Sequence, residues 1–137
     1  MTGLMVCVLV LAAASACGVL QRRRNGRVRV RGRDDGKRLG AADLGTDLGE
    51  RATLVQFSSA FCAPCRATRR ILGEVAAVVP GVTHVEIDAE AHLDLVRRLD
   101  ILKTPTVLVL DADGRVVRRA TGQPRKADVI AALGEAV

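Results

Sequence analysis

The chain has 137 residues, enough for one domain of ordinary size, and a formal net charge of +6. The positive charge belongs to one short segment, because residues 21–40 contain nine Arg or Lys against two Asp while residues 41–137 are close to neutral. Two Phe, no Trp and no Tyr leave few aromatic rings on which nucleic-acid bases could stack. Composition and charge therefore argue against a nucleic-acid-binding protein, which spreads its basic residues over a folded surface.

Residues 3–20 form an uncharged segment that predicts a transmembrane anchor. Their number is about the lower limit for a helix that crosses the hydrocarbon core of a bilayer. A cleaved secretory signal is the alternative, because Ala14 and Ala16 resemble a cleavage site and Cys17 follows them, as in lipoproteins. Two features favour the anchor: no Lys or Arg precedes the segment, and Ala14 is smaller than the aliphatic residue that the lipoprotein pattern requires.

Basic residues follow the uncharged segment, and they predict its orientation. By the positive-inside rule, Arg and Lys within about 15–20 positions of a span remain in the cytoplasm. The sequence therefore predicts a single-pass protein of the cell membrane with a cytoplasmic domain, and an extracytoplasmic domain is the alternative. The arginines concerned are Arg22, Arg23, Arg24, Arg27, Arg29, Arg31 and Arg33.

Residues 21–47 are predicted to be a basic juxtamembrane linker. Repeated charge, glycines and few apolar residues give this stretch little to bury. Val28 and Val30 alternate with arginine as in a β-strand, but two positions are too few to define one. The folded domain is accordingly predicted over residues 48–137.

Apolar runs and helical periodicity alternate regularly through residues 48–137. Short β-rich apolar runs bounded by turn residues predict strands, and apolar positions three and four apart predict helices. The resulting order β-α-β-α-β-β-α indicates an α/β three-layer sandwich whose central mixed sheet combines a parallel strand pair with an antiparallel hairpin. The predicted strands cover residues 53–58, 82–88, 106–111 and 115–120, and the predicted helices cover residues 63–79, 91–99 and 126–137.

Cys62 and Cys65 stand where the first predicted strand meets the long helix. Residues three apart on a first helical turn lie on one side of it, close enough to form a disulfide. The positive end of the helix dipole favours a thiolate, the reactive form of cysteine, and Arg66 adds positive charge. In this interpretation Cys62 attacks a substrate disulfide and Cys65 resolves the mixed disulfide.

Two other interpretations of the cysteine pair remain open. A zinc site needs four ligands, and His84 and His92 lie eight residues apart, outside the usual ligand spacing. A purely structural disulfide gives little entropic stabilisation across so short a loop. The strand-to-helix position therefore favours redox activity, while His84 and His92 are predicted to be a sheet-edge residue and a surface-helix residue.

The stretches FCAPCR (residues 61–66) and KTPT (residues 103–106), with the order of the elements, resemble the thioredoxins over roughly residues 50–137. The resemblance implies a thioredoxin fold and a protein-disulfide oxidoreductase. Its redox centre would be the Cys62–Cys65 dithiol, without a further cofactor. The implied partners are protein disulfide substrates and a dithiol electron donor. The membrane, bound through residues 3–20, is a partner that the uncharged segment predicts.

Further site residues follow from the same resemblance. Thioredoxins have a cis proline facing the active-site cysteines, and Pro105 matches it. A cis bond there would let the adjoining backbone pair with a substrate chain, as in β-strand addition. The resemblance thus implies a substrate-binding groove formed by Phe61, Ala63, Pro64, Thr104, Pro105 and Gly122.

Several positions depart from the thioredoxin pattern. Gln56 stands where many thioredoxins have a buried Asp that helps to move the proton of the resolving cysteine. An amide cannot accept that proton, so water or another group would have to serve. Phe61 replaces the usual Trp, and Ser58 and Ser59 replace bulkier residues.

The alternatives to a cytoplasmic reductase are a non-catalytic thioredoxin-fold binding module and an exported reductase for cytochrome or disulfide maturation.

Overall fold

The computed structural model describes residues 1–24, 28–29, 34 and 36–137 of the chain. The helices within those residues are α1 (Thr2–Arg24), α2 (Ala41–Leu44), α3 (Ala63–Val78), α4 (Leu93–Arg98) and α5 (Lys126–Ala136). The strands are β1 (Val28–Arg29), β2 (Ala52–Ser58), β3 (Val82–Asp88), β4 (Thr106–Asp111) and β5 (Val116–Thr121).

The strands form one mixed sheet in the order β1-β5-β4-β2-β3. β2 and β3 are parallel, whereas β4 runs antiparallel to β2 and makes a hairpin with β5. The predicted combination of a parallel pair with an antiparallel hairpin is therefore confirmed. The edge strand β1 was not predicted: Val28 and Arg29 pair with Ala120 and Arg119. Two residues show too little alternation to be recognised as a strand.

Helices cover both faces of the sheet, which confirms the predicted three-layer sandwich. On one face, Leu72 of α3 and Leu133 of α5 share an apolar cluster with Val109 of β4. On the other face, Leu95 of α4 clusters with Phe57 of β2. Cys65 is thus carried by a helix that is fixed to the sheet by its apolar side.

Part of the predicted linker is folded onto the domain. Leu39 is fully buried and Leu44 nearly so, and both belong to the apolar cluster on the α4 side of the sheet. Arg38 also forms an isolated β-bridge with Arg115, and α2 lies within the predicted linker. The packed part of the chain therefore begins before residue 48, the predicted boundary. Leu39 and Leu44 stand among glycines and charged residues, so the local sequence has no apolar periodicity from which their burial could be predicted.

A buried ion pair fastens the same segment to the sheet. The Arg119 guanidinium donates to both carboxylate oxygens of Asp34, at 2.9 and 2.7 Å. It also donates to the backbone carbonyl oxygens of Leu99 and Asp100, at 2.6 and 3.1 Å. The two charged side chains are 5% and 6% exposed, and each compensates the charge of the other where water cannot.

Helix α1 contains the uncharged segment and continues through Arg24. It is long and apolar enough to cross a membrane, and none of its residues is buried in the described structure. A signal sequence near the amino terminus can meet the same criteria of length and composition. Of the arginines that predict the orientation, Arg27, Arg31 and Arg33 lie outside the described residues.

Candidate active site

The first turn of α3 begins at Cys62. This residue is the N-cap of the helix, and its sulfur accepts a hydrogen bond from the backbone N–H of Cys65 at 3.2 Å. Pro64 stands within the first turn, where a missing N–H removes no helical hydrogen bond. The helix start therefore places backbone N–H groups and the positive end of the helix dipole beside the Cys62 sulfur.

A disulfide joins Cys62 and Cys65, with the Sγ atoms 2.17 Å apart and the Cα atoms 5.2 Å apart. The two ends of this bond differ in exposure, because Cys62 is partly exposed and Cys65 is only 2% exposed. A molecule that approaches from solvent meets Cys62 first. The pair thus has one accessible sulfur and one sulfur held inside the protein.

Two hydroxyl groups lie beside Cys62. The Thr104 hydroxyl donates toward Cys62 Sγ over a long distance of 4.0 Å, and it lies 2.7 Å from the Ser59 hydroxyl. Ser59 follows β2 and Thr104 lies two residues before β4, so the antiparallel pairing of these strands brings the hydroxyls together. When Thr104 donates to sulfur, Ser59 must donate to Thr104. In the reduced protein, the same arrangement would stabilise negative charge on the Cys62 sulfur.

Gln56 lies beneath the other cysteine. Its side chain is fully buried, and its amide nitrogen donates to the backbone carbonyl oxygen of Cys65 at 2.8 Å and to the Ser58 hydroxyl at 3.0 Å. Its amide oxygen lies 3.1 Å from Nε2 of His84. Both the nitrogen and the oxygen of this buried amide therefore have partners, as burial of a polar group requires.

The His84 ring lies on β3, which is an edge strand of the sheet as the sequence predicts. Partial burial lowers the pKa of His84 below its ordinary value of 6.5, because the charged ring would lose solvation. The Glu86 carboxylate raises this pKa and the Arg69 guanidinium lowers it, and these two side chains form an ion pair with each other. His84 is consequently neutral at neutral pH.

Within the described residues, no group of three or more His, Cys, Asp or Glu could hold a metal ion. The two histidines that entered the zinc interpretation have separate partners. His84 contacts Gln56, and Nδ1 of His92 lies 3.0 Å from the carbonyl oxygen of Asp88. The remaining cysteines, Cys7 and Cys17, are unpaired and exposed on α1.

A protein-family model of thioredoxin matches residues 44–135, which include both cysteines of the disulfide. The chain belongs to the thioredoxin family. Thioredoxin of Mycobacterium tuberculosis (strain ATCC 25618 / H37Rv) is 28% identical over 99 residues, which cover 70% of this chain and 84% of that thioredoxin.

Solved thioredoxin structures share the fold. Mitochondrial thioredoxin 3 from Saccharomyces cerevisiae matches with a TM-score of 0.55 at 17% identity, covering 63% of this chain and 79% of that one. A mutant thioredoxin from Halobacterium salinarum NRC-1 matches with a TM-score of 0.60 at 18% identity, covering 69% and 80%. The predicted thioredoxin fold is confirmed, and the apolar helix α1 precedes it.

The residues of the implied groove can be compared with the thioredoxin pattern. The Thr104–Pro105 peptide bond is cis, and the Pro105 carbonyl oxygen accepts a hydrogen bond from the Gly122 N–H at 2.8 Å. Gly122 has a φ of 89°, in the left-handed region that favours glycine. β4 and β5 thus bring Pro105 and Gly122 together, and the neighbouring Thr104 is the residue of this group whose hydroxyl lies 4.0 Å from the Cys62 sulfur.

The exposed apolar residues of the site form a second group. Phe61 precedes Cys62 with a positive φ of 58° and a fully exposed side chain, and Ala63 and Pro64 are exposed on the first turn of α3. Sequence reasoning did not single out Leu102, which is 87% exposed in the loop that leads to Thr104. Its position two residues before Thr104 is the signal that could have found it.

Proposed function

We propose that this protein is a thiol–disulfide oxidoreductase that reduces protein disulfides through Cys62 and Cys65. The observation that carries the proposal is the disulfide between an accessible sulfur at a helix start and a buried sulfur one turn on. Membership of the thioredoxin family supports the same chemistry. The redox centre is the cysteine pair itself, and the reaction requires no further cofactor.

The first half of the reaction belongs to Cys62. Its thiolate attacks one sulfur of the substrate disulfide, a bond forms between that sulfur and Cys62, and the other substrate sulfur leaves as a thiolate that takes a proton from water. The Cys65 N–H and the Thr104 hydroxyl, which contact the Cys62 sulfur in the disulfide state, support the thiolate before attack.

The second half belongs to Cys65. Cys65 first loses its proton to water. Its sulfur then attacks Cys62 Sγ, the bond between Cys62 and the substrate breaks, and the second substrate sulfur leaves as a thiolate that takes a proton from water. Two electrons have then passed from the cysteine pair to the substrate, and the pair is in the disulfide state that the structure contains. A dithiol donor returns the pair to its reduced state by the same exchange in reverse.

The residues around the disulfide support a protein as the substrate. They combine backbone of the Thr104–Pro105 segment with exposed apolar side chains, which suits an extended chain better than a small thiol. The proposed contacts are made by Phe61, Ala63, Pro64, Thr104, Pro105 and Gly122.

Reduction of insulin by dithiothreitol tests the enzyme. The full chain with Cys7→Ala and Cys17→Ala, the two-cysteine protein, would be studied in detergent micelles. In this protein only Cys62 and Cys65 can react. Cys62→Ser in this protein should remove the acceleration of insulin reduction, whereas Thr83→Val on β3 should leave it unchanged. Equal rates with and without Cys62 would contradict the enzyme and favour a non-catalytic binding module.

The proposal includes a location. Helix α1 would cross the cell membrane and hold the domain on the cytoplasmic side, supported by the length and composition of the helix and by the arginines that follow it. In the cytoplasm the surrounding thiol pool keeps dithiols reduced, so the protein would act as a reductase.

Labelling of a single cysteine tests the orientation. In a chain that keeps Cys62 and replaces Cys7, Cys17 and Cys65, a membrane-impermeant thiol reagent should label Cys62 only after the cells are permeabilised. Labelling of intact cells would place the domain outside and favour an exported reductase. Recovery of the chain without α1 would show a cleaved signal instead of an anchor.

A further inference from the structure

The buried amide of Gln56 has only one orientation that satisfies its neighbours. The backbone carbonyl oxygen of Cys65 can only accept a hydrogen bond, so the atom 2.8 Å from it must be the amide nitrogen. A rotated amide would set two carbonyl oxygens against each other. The Gln56 oxygen consequently faces His84, at 3.1 Å from Nε2.

The orientation of Gln56 determines where the proton of His84 lies. An amide oxygen only accepts, so Nε2 of His84 must donate and must carry the hydrogen of the neutral ring. Nδ1 is then the nitrogen that gains a proton when the pH falls. A chain of hydrogen bonds therefore leads from a titratable ring through one fully buried amide to the backbone of Cys65.

The charged and titratable groups near His84 come from two elements. Arg69 of α3 and Glu86 of β3 act on the ring, and they form an ion pair with each other. Gln56 of β2 faces the ring without a charge of its own. Gln56, which lies between His84 and the Cys65 backbone, is neutral. Protonation of His84 would therefore introduce a positive charge on the side of the site where Cys65 lies.

From these contacts we infer that His84 is a positioning residue for the resolving cysteine: through Gln56 it holds the Cys65 backbone in place, and its protonation favours the Cys65 thiolate. The inference rests on the proposed thiol–disulfide exchange. It concerns the step in which Cys65 attacks Cys62 Sγ, the substrate sulfur leaves with the electron pair of the broken bond, and that sulfur is protonated by water. His84 exchanges no proton with substrate in this step.

Reaction with dithiobis(nitrobenzoate) separates the two halves of the exchange. The reduced two-cysteine protein releases one thionitrobenzoate when Cys62 attacks and a second when Cys65 resolves the mixed disulfide. Three variants are compared with it: His84→Gln, whose amide nitrogen lies as many bonds from the backbone as Nε2 and does not titrate, His84→Leu, which cannot donate, and His92→Gln as the matched control.

The second release should depend on His84 and the first should not. His84→Leu should slow the second release about threefold or more, because the Gln56 oxygen loses its donor, and His84→Gln should restore the rate at pH above the histidine range. At acid pH the unsubstituted ring should make the second release about three- to tenfold faster than His84→Gln, as expected for one charge acting at an effective dielectric constant of about 20. His92→Gln should follow the parent protein throughout.

Two results would overturn the inference. One is a second release with the same rate and pH profile in His84→Gln, His84→Leu and the parent protein. The other is a neutral His84 ring with its hydrogen on Nδ1, which long-range proton–nitrogen NMR correlations detect in the disulfide form without any turnover. Failure of the proposed function looks different, since insulin would then be reduced at the same rate with and without Cys62, whatever the two thionitrobenzoate releases show.

Discussion

Cys62 and Cys65 are three residues apart, yet they lie in opposite surroundings. Cys62 is partly exposed, stands at the N-cap of α3 and has the hydroxyl of Thr104 at 4.0 Å from its sulfur. Cys65 is 2% exposed and stands over the buried amide of Gln56. One turn of helix therefore separates a sulfur that solvent reaches from a sulfur that only its partner reaches.

The difference assigns separate requirements to the two halves of the proposed exchange. An attacking sulfur needs access and a stabilised thiolate, which backbone N–H groups and hydroxyls provide at the surface. A resolving sulfur needs a fixed distance to its partner and protection from other disulfides, which burial provides. Variants on the two sides should therefore affect different steps.

Replacement of Cys65 gives the largest expected effect. In the two-cysteine protein, Cys65→Ser should leave the attack by Cys62 intact and remove resolution, so that a mixed disulfide with substrate accumulates and turnover falls about 100-fold or more. Non-reducing electrophoresis with insulin as substrate measures the complex. Addition of Cys62→Ser should abolish it. A complex that persists without Cys62, or one that never forms with Cys65→Ser alone, would contradict the assignment of roles.

Replacement of Gln56 should show how much the buried hydrogen bonds beneath Cys65 contribute to the free energy of unfolding. Gln56→Leu keeps a similar volume but leaves the Cys65 carbonyl oxygen without its donor, which should lower the free energy of unfolding by about 1–3 kcal/mol. Ser59→Ala on the Cys62 side removes a hydroxyl that water can replace and should cost less than about 1 kcal/mol. Urea denaturation of the disulfide form measures both. Equal losses would show that the two sides do not differ in this respect.

The sequence predicts the Cys62 side of the site better than the Cys65 side. A helix start after an apolar strand, with Pro64 in its first turn, is a local pattern that spans a few residues. The contact between Gln56 and His84 joins residues 28 positions apart and depends on the register of β2 against β3, which pairs Gln56 with Glu86 and Leu54 with His84. The sequence of neither strand alone determines how the two strands are paired.

The two faces of the sheet differ in the same way. Helices α3 and α5 have buried residues three and four positions apart, a spacing that the sequence shows, so the face of the sheet that they cover could be predicted. The opposite face is partly covered by Leu39 and Leu44 and fastened by the pair of Asp34 with Arg119. These contacts come from a charged, glycine-containing stretch whose local sequence is typical of a linker, and only tertiary packing makes it part of the domain.

Removal of the Thr104 hydroxyl should affect the attack by Cys62 alone. Thr104→Val is close in shape but cannot donate toward the sulfur, so the thiolate is less stabilised. Alkylation of reduced Cys62 by iodoacetamide near neutral pH should slow about two- to fivefold, the size expected for one weak hydrogen bond to a charged group. The second thionitrobenzoate release should not change. Thr83→Val is the control. A slower second release in Thr104→Val would contradict the prediction that Thr104 affects only the attack by Cys62.

The pH dependence of stability should show the smallest effect, and it belongs to the Cys65 side. Burial lowers the pKa of His84 in the folded protein, so between that pKa and the ordinary value of 6.5 the unfolded chain binds more protons than the folded one. Stability is therefore complete above this window and is lost as the pH falls through it. The midpoint of urea denaturation of the disulfide form should fall more between neutral pH and about pH 5 in the parent protein than in His84→Gln. The urea midpoint of His92→Gln should fall as much as that of the parent protein. An equal fall for His84→Gln would show that the pKa of His84 is the same in the folded and unfolded states.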